Sequence, residues 1–269
     1  MPTPDLAGDG SRGDEGPHAT TASRRVRLRQ RRGIARQLQR VGDAFEQAIA
    51  RHSPLGDPPV YDPREFPWVS RIEGEWRAIR AELDRVLRRR DELASFHEIA
   101  RQVESITHDA TWKTYFLAGY GMRSARAREE CPETARILGE IPGMMTAMFS
   151  ILAPGKHIPP HRGPYSGVLR LHLGLIVPRP RERCWIRVAD ERRHWDEGKA
   201  LIFDGTFIHE VRNETDAWRV LLFVDFVRPL RAPMRQLNRA LLKVVGWTPM
   251  LREAARNQRR WEQQYFAPR

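Results

Sequence analysis

The stretch Val168-Leu169-Arg170-Leu171-His172-Leu173-Gly174-Leu175 decides the fold. A β-strand sends successive side chains to opposite faces. Leu169, Leu171, Leu173 and Leu175 therefore share one face, while Arg170 and His172 share the other. One face is apolar packing, and the other carries charge.

Working outward, β-rich runs occupy residues 148–152, 168–177, 184–188, 200–203 and 220–226, separated by glycine and proline turns. Short strands at this spacing predict an all-β barrel or sandwich. The flanks change period. Val26, Ile34, Leu38, Val41, Phe45 and Ile49 recur at three to four and give a basic helix with a narrow apolar face. Residues 52–67 carry five prolines and read as an extended connector. Trp68, Ile72, Trp76, Ile79, Leu83 and Leu87 then make an amphipathic helix. Beyond Pro229, Met234, Leu237, Leu241 and Val245 lie on one stripe, and Arg231, Arg235, Arg239 and Lys243 step by four on another. The expected organisation is a disordered leader over 1–23, a basic helix and proline-rich connector over 24–67, a β-rich domain with N-terminal helices over 68–230 and a basic helical tail over 231–269.

Composition narrows the function classes. A chain of 269 residues with 41% hydrophobic residues can bury the core of one or two domains, which excludes a fibrous or wholly disordered protein. Two cysteines, Cys131 and Cys184, are too few for a disulfide framework, so a reducing cytoplasm is expected. Cys131, just before Pro132, reads as buried filler at a helix start. No apolar run is long enough to span a membrane, and the first 20 residues do not resemble a signal peptide. The net charge of +12 is concentrated at the ends: eight arginines and no acid fall within 24–40, and nine basic against two acidic residues within 231–269. Such flanks suit an anionic partner, and the 231–243 ladder is a candidate for peripheral contact with the inner face of the membrane. No nucleic-acid-binding motif occurs, and none of that class of partner is expected.

Two histidines stand beside the strands. His161 lies in a proline-rich run, 157–164, read as a rigid turn at the barrel mouth. His209 follows the turn at Asp204-Gly205, and Arg219 opens the next strand. Imidazoles meeting on neighbouring strands suit a first-row metal such as Fe(II), whose open positions bind a cosubstrate and O2. An arginine in the same apolar mouth offers a fork for a dicarboxylate. Phe207, Val211, Leu221 and Phe223 are candidates for the pocket wall, or for ordinary barrel core. Asp204 reads either as an acid orienting His209 or as a turn residue. Pro159 and Pro160 preclude a helix between His157 and His161, which gives His157 a turn or surface role. His194 and Trp195 read as a surface hairpin pair.

Gly163-Pro164, Arg170 through Leu175, Trp195-Asp196-Glu197-Gly198, Phe203-Asp204, His209-Glu210-Val211-Arg212-Asn213 and Arg219 together resemble the aspartyl/asparaginyl β-hydroxylase family of Fe(II)/2-oxoglutarate dioxygenases, over residues 112–229. The stretch also resembles the bacterial branch that hydroxylates acyl chains of lipid A and usually carries an N-terminal anchor; here the corresponding end is polar and arginine-rich. The resemblance implies a mainly β fold with flanking helices around a cupin-like double-stranded β-helix, or jelly roll. It implies His161 and His209 as metal ligands and catalytic residues, and Arg219 with Ser150 at the distal carboxylate of 2-oxoglutarate. Arg170 and His172 would stand near the metal-proximal end of the cosubstrate or the substrate. Gly163 occupies the position where many enzymes of the superfamily place a carboxylate ligand, a feature shared with the Asp/Asn β-hydroxylases, which leave that position to water. The implied activity is hydroxylation of an Asp or Asn side chain in a peptide or protein, with release of succinate and CO2. The alternatives are the same chemistry on a lipid A-like acyl chain at the membrane surface, and a non-catalytic barrel that binds a metal or dicarboxylate.

Overall fold

The alternation read over residues 168–175 is what allows two antiparallel sheets to face each other. In the computed structural model, which describes residues 34–119, 122–245 and 248–267, the chain runs α1 (Ile34–His52), β1 (Val60–Tyr61), α2 (Val69–Gly74), α3 (Trp76–Leu87), β2 (Ala94–Ser95), α4 (Phe96–Ile99), β3 (Trp112–Gly119), β4 (Met122–Arg123), α5 (Ala125–Glu130), α6 (Pro132–Gly139), β5 (Met144–Leu152), β6 (His157–His161), β7 (Val168–Ile176), β8 (Cys184–Val188), β9 (Glu191–His194), β10 (Ala200–Phe203), β11 (His209–Asn213), β12 (Arg219–Val227), α7 (Met234–Val245) and α8 (Pro249–Tyr265).

The major sheet has the order β1-β10-β7-β12-β5-β3-β2, with β4 paired to β3, and the minor sheet the order β6-β11-β8-β9. From β5 to β12 the chain passes back and forth between them: β5, β7, β10 and β12 lie in the major sheet, and β6, β8, β9 and β11 in the minor. This is a double-stranded β-helix with flanking helices, the expected fold.

Each strand of the major sheet serves two cores. Leu169, Leu171, Leu173 and Leu175 of β7 join Val220, Leu222 and Val224 of β12 against Ile72, Ile79 and Leu83 of α2 and α3 and Ile137 and Leu138 of α6. The other face looks into the barrel, where Met148, Leu152, Leu221 and Phe223 meet Ile186, Val188 and Val211 of the minor sheet. The helices thus cover the outside of the major sheet and leave its polar face to the space between the sheets.

Several expectations are corrected. The run read as a turn, 157–164, begins as strand β6, which forms one edge of the minor sheet. Proline lacks an N–H to donate to a ladder, and an edge strand tolerates Pro159 and Pro160 for that reason. The helix read from Trp68 to Leu87 is two helices, interrupted after Gly74 where Glu75 leaves helical geometry with φ −97° and ψ 6°. Strand β3, whose residues are buried almost throughout, precedes the β region read from the sequence. The predicted leader and arginines 24–32 lie outside the described residues.

Helix α3 is fastened to α6 by one buried carboxylate. Glu82 accepts hydrogen bonds from the backbone N–H of Glu133 at 3.0 Å, the N–H of Thr134 at 2.8 Å and the Thr134 hydroxyl at 2.7 Å. It thereby satisfies donors at the start of α6 that no intrahelical carbonyl can reach. Glu82→Ala leaves these donors buried and unpaired. It is expected to lower unfolding free energy by about 2–3 kcal/mol in urea denaturation; an unchanged midpoint would refute this role.

Candidate functional site

The proline-stiffened strand β6 ends at His161, and β11 begins at His209, its register partner. The register shifts between His209 and Val211, where β6 carries one residue more than β11 at its two prolines. The ring centroids lie 4.2 Å apart, with the planes tilted by 52°.

The backbone fixes the tautomer of both. His161 Nδ1 lies 2.9 Å from Pro159 O, and His209 Nδ1 lies 2.9 Å from Phe207 O. A carbonyl oxygen accepts only, so each Nδ1 carries the proton. Burial lowers the His161 pKa and takes that of His209 well below the usual imidazole value. The neutral rings therefore carry bare lone pairs at Nε2, the form in which imidazole binds a metal. Phe203 packs edge-on to His209 at 5.4 Å. Among the described residues, no group of three or more His, Cys, Asp or Glu side chains is placed to hold a metal.

Strand pairing sets a column of side chains behind the rings. Arg170 faces Asp225, His172 faces Phe223 and Gly174 faces Leu221 across β7 and β12. Arg170 donates to Asp225 at 2.8 and 3.3 Å, and its guanidinium lies 4.2 Å from the centre of the Phe223 ring. His172 is enclosed by Trp195, Phe203 and Phe223, and neither ring nitrogen has a hydrogen-bond partner. Burial, with help from Arg170, Arg219 and His209, holds its pKa well below the ordinary value.

Arg219 is 2% exposed. Its guanidinium stacks 4.9 Å from Trp195, and its Nε has no partner. Burial pushes its pKa down to about 10, so it still carries a full charge at neutral pH. A buried, unpaired cation costs several kcal/mol, a penalty that an anion placed beside it offsets. Ser150, on the interior face of β5, accepts a hydrogen bond from Trp112 Nε1 at 3.0 Å. The chamber thus joins two bare imidazole nitrogens, an unpartnered imidazole and a buried cation. That donor set fits a divalent metal and an anionic group.

All four residues expected from the interior face, Ser150, Arg170, His172 and Arg219, lie on the major sheet. Phe207, Val211, Leu221 and Phe223 belong to the barrel core. Trp195 is corrected from surface to core: it is buried beneath Arg219, and its neighbour His194 is tied to the carbonyls of Arg181 and Cys184. Asp204 proves to be a turn residue. It accepts from Thr206 and Arg228, while His209 is held by a backbone carbonyl. His157 pairs with Glu210 at 3.0 Å. Asp225 went unflagged in the sequence. Its signal was positional, since it shares the interior face of β12 with Arg219, Leu221 and Phe223.

The sequence profile described as aspartyl/asparaginyl β-hydroxylase matches residues 73–229, and the chain belongs to that family. It is 51% identical over 222 residues to an ornithine lipid ester-linked acyl 2-hydroxylase of Rhizobium tropici, covering 82% of this chain and 79% of that protein. It is 32% identical over 200 residues to the human aspartyl/asparaginyl β-hydroxylase, covering 71% of this chain and 26% of that much longer protein. A Pseudomonas putida prolyl-4-hydroxylase structure overlaps 60% of this chain and 99% of its own, with 17% identity and a TM-score of 0.38.

Gly163 shows why no carboxylate stands two residues after His161. Its N–H donates to Gly205 O at 2.6 Å, and a Cβ built on it would lie 3.1 Å from that oxygen. A side chain there is directed at the Asp204-Gly205 turn. Gly163→Asp is expected to cost about 1–3 kcal/mol in thermal or urea unfolding. Wild-type stability would mean that the turn yields freely.

Proposed function

We propose that the protein is an Fe(II)- and 2-oxoglutarate-dependent hydroxylase whose substrate is the ester-linked acyl chain of an ornithine-containing lipid, hydroxylated at carbon 2. The observation that carries the substrate is the 51% identity to the Rhizobium tropici lipid hydroxylase over 82% of this chain and 79% of that protein. Hydroxylation of an Asp or Asn side chain is the second reading, favoured by the human relative at 32% identity. The two substrates share one reacting group, a methylene next to a carbonyl carbon.

The chamber supports this chemistry from its own residues. His161 and His209 would hold the iron through Nε2, since their Nδ1 protons are engaged by Pro159 O and Phe207 O. Those two carbonyls keep each ring in one orientation, as is usual for metal-bound imidazole. Arg219 would bind the distal carboxylate of 2-oxoglutarate, and Ser150 would add a hydroxyl held in place by Trp112. His172, with two unpartnered nitrogens, would meet the metal-proximal end of the cosubstrate, and Arg170 would stand at the substrate side. Bound iron and 2-oxoglutarate supply the oxidation, with O2 consumed and succinate and CO2 released. Phe203, Phe207, Leu221 and Phe223 form an apolar surround that limits water at the reacting centre.

The test is incubation of the iron-loaded protein with 2-oxoglutarate and either ornithine lipid or Asp/Asn-containing peptides, followed by mass spectrometry. One added oxygen on the lipid, matched by succinate, is expected. Oxygen on a peptide alone would overturn the lipid reading, and succinate formation without either product would count against both. His161→Ala and His209→Ala should each reduce turnover by more than about 100-fold.

A further inference from the structure

Helices α1 and α7 form a pair standing on the barrel rim. Arg231 N–H donates to His52 O at 2.9 Å, which joins the end of α1 to the start of α7. Ile49 of α1 and Leu230 and Met234 at the start of α7 make a small separate core, with Phe45 and Tyr165 packed on it. The rest of the pair does not share in that packing. Val41 is 68% exposed, Leu237 51% and Val244 67%, three of the five large hydrophobic side chains left exposed among the described residues. Leu237 and Val244 are seven residues apart and lie on one side of α7, while Arg235, Arg239 and Lys243 step by four along a separate exposed stripe of the same helix. Arg40, Arg235, Arg239 and Lys243 are all exposed, and no acidic residue occurs from 231 to 252. Exposed apolar side chains and cations with no acid on α7 suit a surface that is itself apolar beneath and anionic at its edge.

This pair also grips the segment leaving His161. Arg162 donates to Glu46 of α1 at 2.9 Å, and Tyr165 stacks on Phe45 with ring centres 6.3 Å apart. The Tyr165 hydroxyl meets Asn238 of α7 at 2.5 Å, and Asn238 donates to Gly167 O at 2.9 Å. The α1–α7 pair therefore packs on the segment that follows His161.

We infer that the exposed face of the α1–α7 pair docks the protein on an anionic phospholipid bilayer, with the His161 side of the barrel turned to the lipid. The inference rests on the lipid reading for its purpose, but binding to vesicles that contain no substrate tests it independently of turnover.

The experiment is co-sedimentation of the full chain with phosphatidylcholine vesicles, with and without phosphatidylglycerol, across a salt series. Binding should require phosphatidylglycerol and weaken as salt rises. Arg235→Ala, Arg239→Ala and Lys243→Ala combined should lower partitioning by about a hundred-fold. Leu237→Asp with Val244→Asp should lower it by roughly ten-fold or more. Thermal melts check that both variants fold. Both should hydroxylate detergent-dispersed lipid as the wild type does. Docking without any lipid turnover would leave the surface standing and sink the substrate. Equal binding to neutral and anionic vesicles, or wild-type binding by both variants, would overturn the docking face. So would a wild-type dimer in sedimentation equilibrium that Leu237→Asp dissociates while vesicle binding stays absent, since the face would then join two copies of the chain.

Discussion

A guanidinium with no carboxylate beside it among the described residues, sealed inside a jelly roll, sets the requirement around which the site is organised. Arg219 is stacked on Trp195, keeps its charge at neutral pH and leaves Nε without a partner. A fold carrying that cost alone would gain stability by replacing the arginine with an apolar side chain of similar volume. Its position becomes intelligible when an anionic ligand enters. The same holds for His172, whose two ring nitrogens are buried and unsatisfied.

The opposite end of the chamber is ordered by backbone rather than by acids. Pro159 O and Phe207 O hold the two Nδ1 protons, which leaves the Nε2 lone pairs of the two adjacent rings available. Asp204, five residues before His209, serves the scaffold instead. It joins Arg228, which also donates to Asp57, Gly56 O and the Tyr61 hydroxyl. That hub ties the proline-rich connector to the turn preceding His209, so the segment before the barrel helps to hold the geometry within it. Burial of Tyr61 in this cluster drives its hydroxyl pKa above the ordinary phenol range.

Much of this was legible in the sequence because a period of two leaves a visible record. β7, β8, β10 and β12 were located to within a residue or so, and the division of β7 into a leucine face and a polar face carried directly into the two cores. What escaped had a local signal that tertiary context reversed. Two prolines look like a turn until an edge strand supplies the place where their missing N–H is harmless. Trp195 follows a polar hairpin strand and looks exposed until Arg219 is laid against it. The β9 strand, Glu191–His194, has no apolar alternation to reveal it. The roles given to His161, His209, Ser150, Arg170, His172 and Arg219 came from resemblance. The structure adds the contact between the two imidazoles and the tautomer of each, which no sequence pattern displays.

The most direct test is calorimetric titration of 2-oxoglutarate into the protein with and without Mn(II) standing in for Fe(II), under nitrogen, for the wild type and Arg219→Ala. The account predicts metal-dependent binding at one site, weakened by about 2–3 kcal/mol when the guanidinium is removed. Equal affinity in the variant, or binding indifferent to the metal, would contradict a chamber in which two imidazoles and one buried arginine seat a metal and a keto-diacid together.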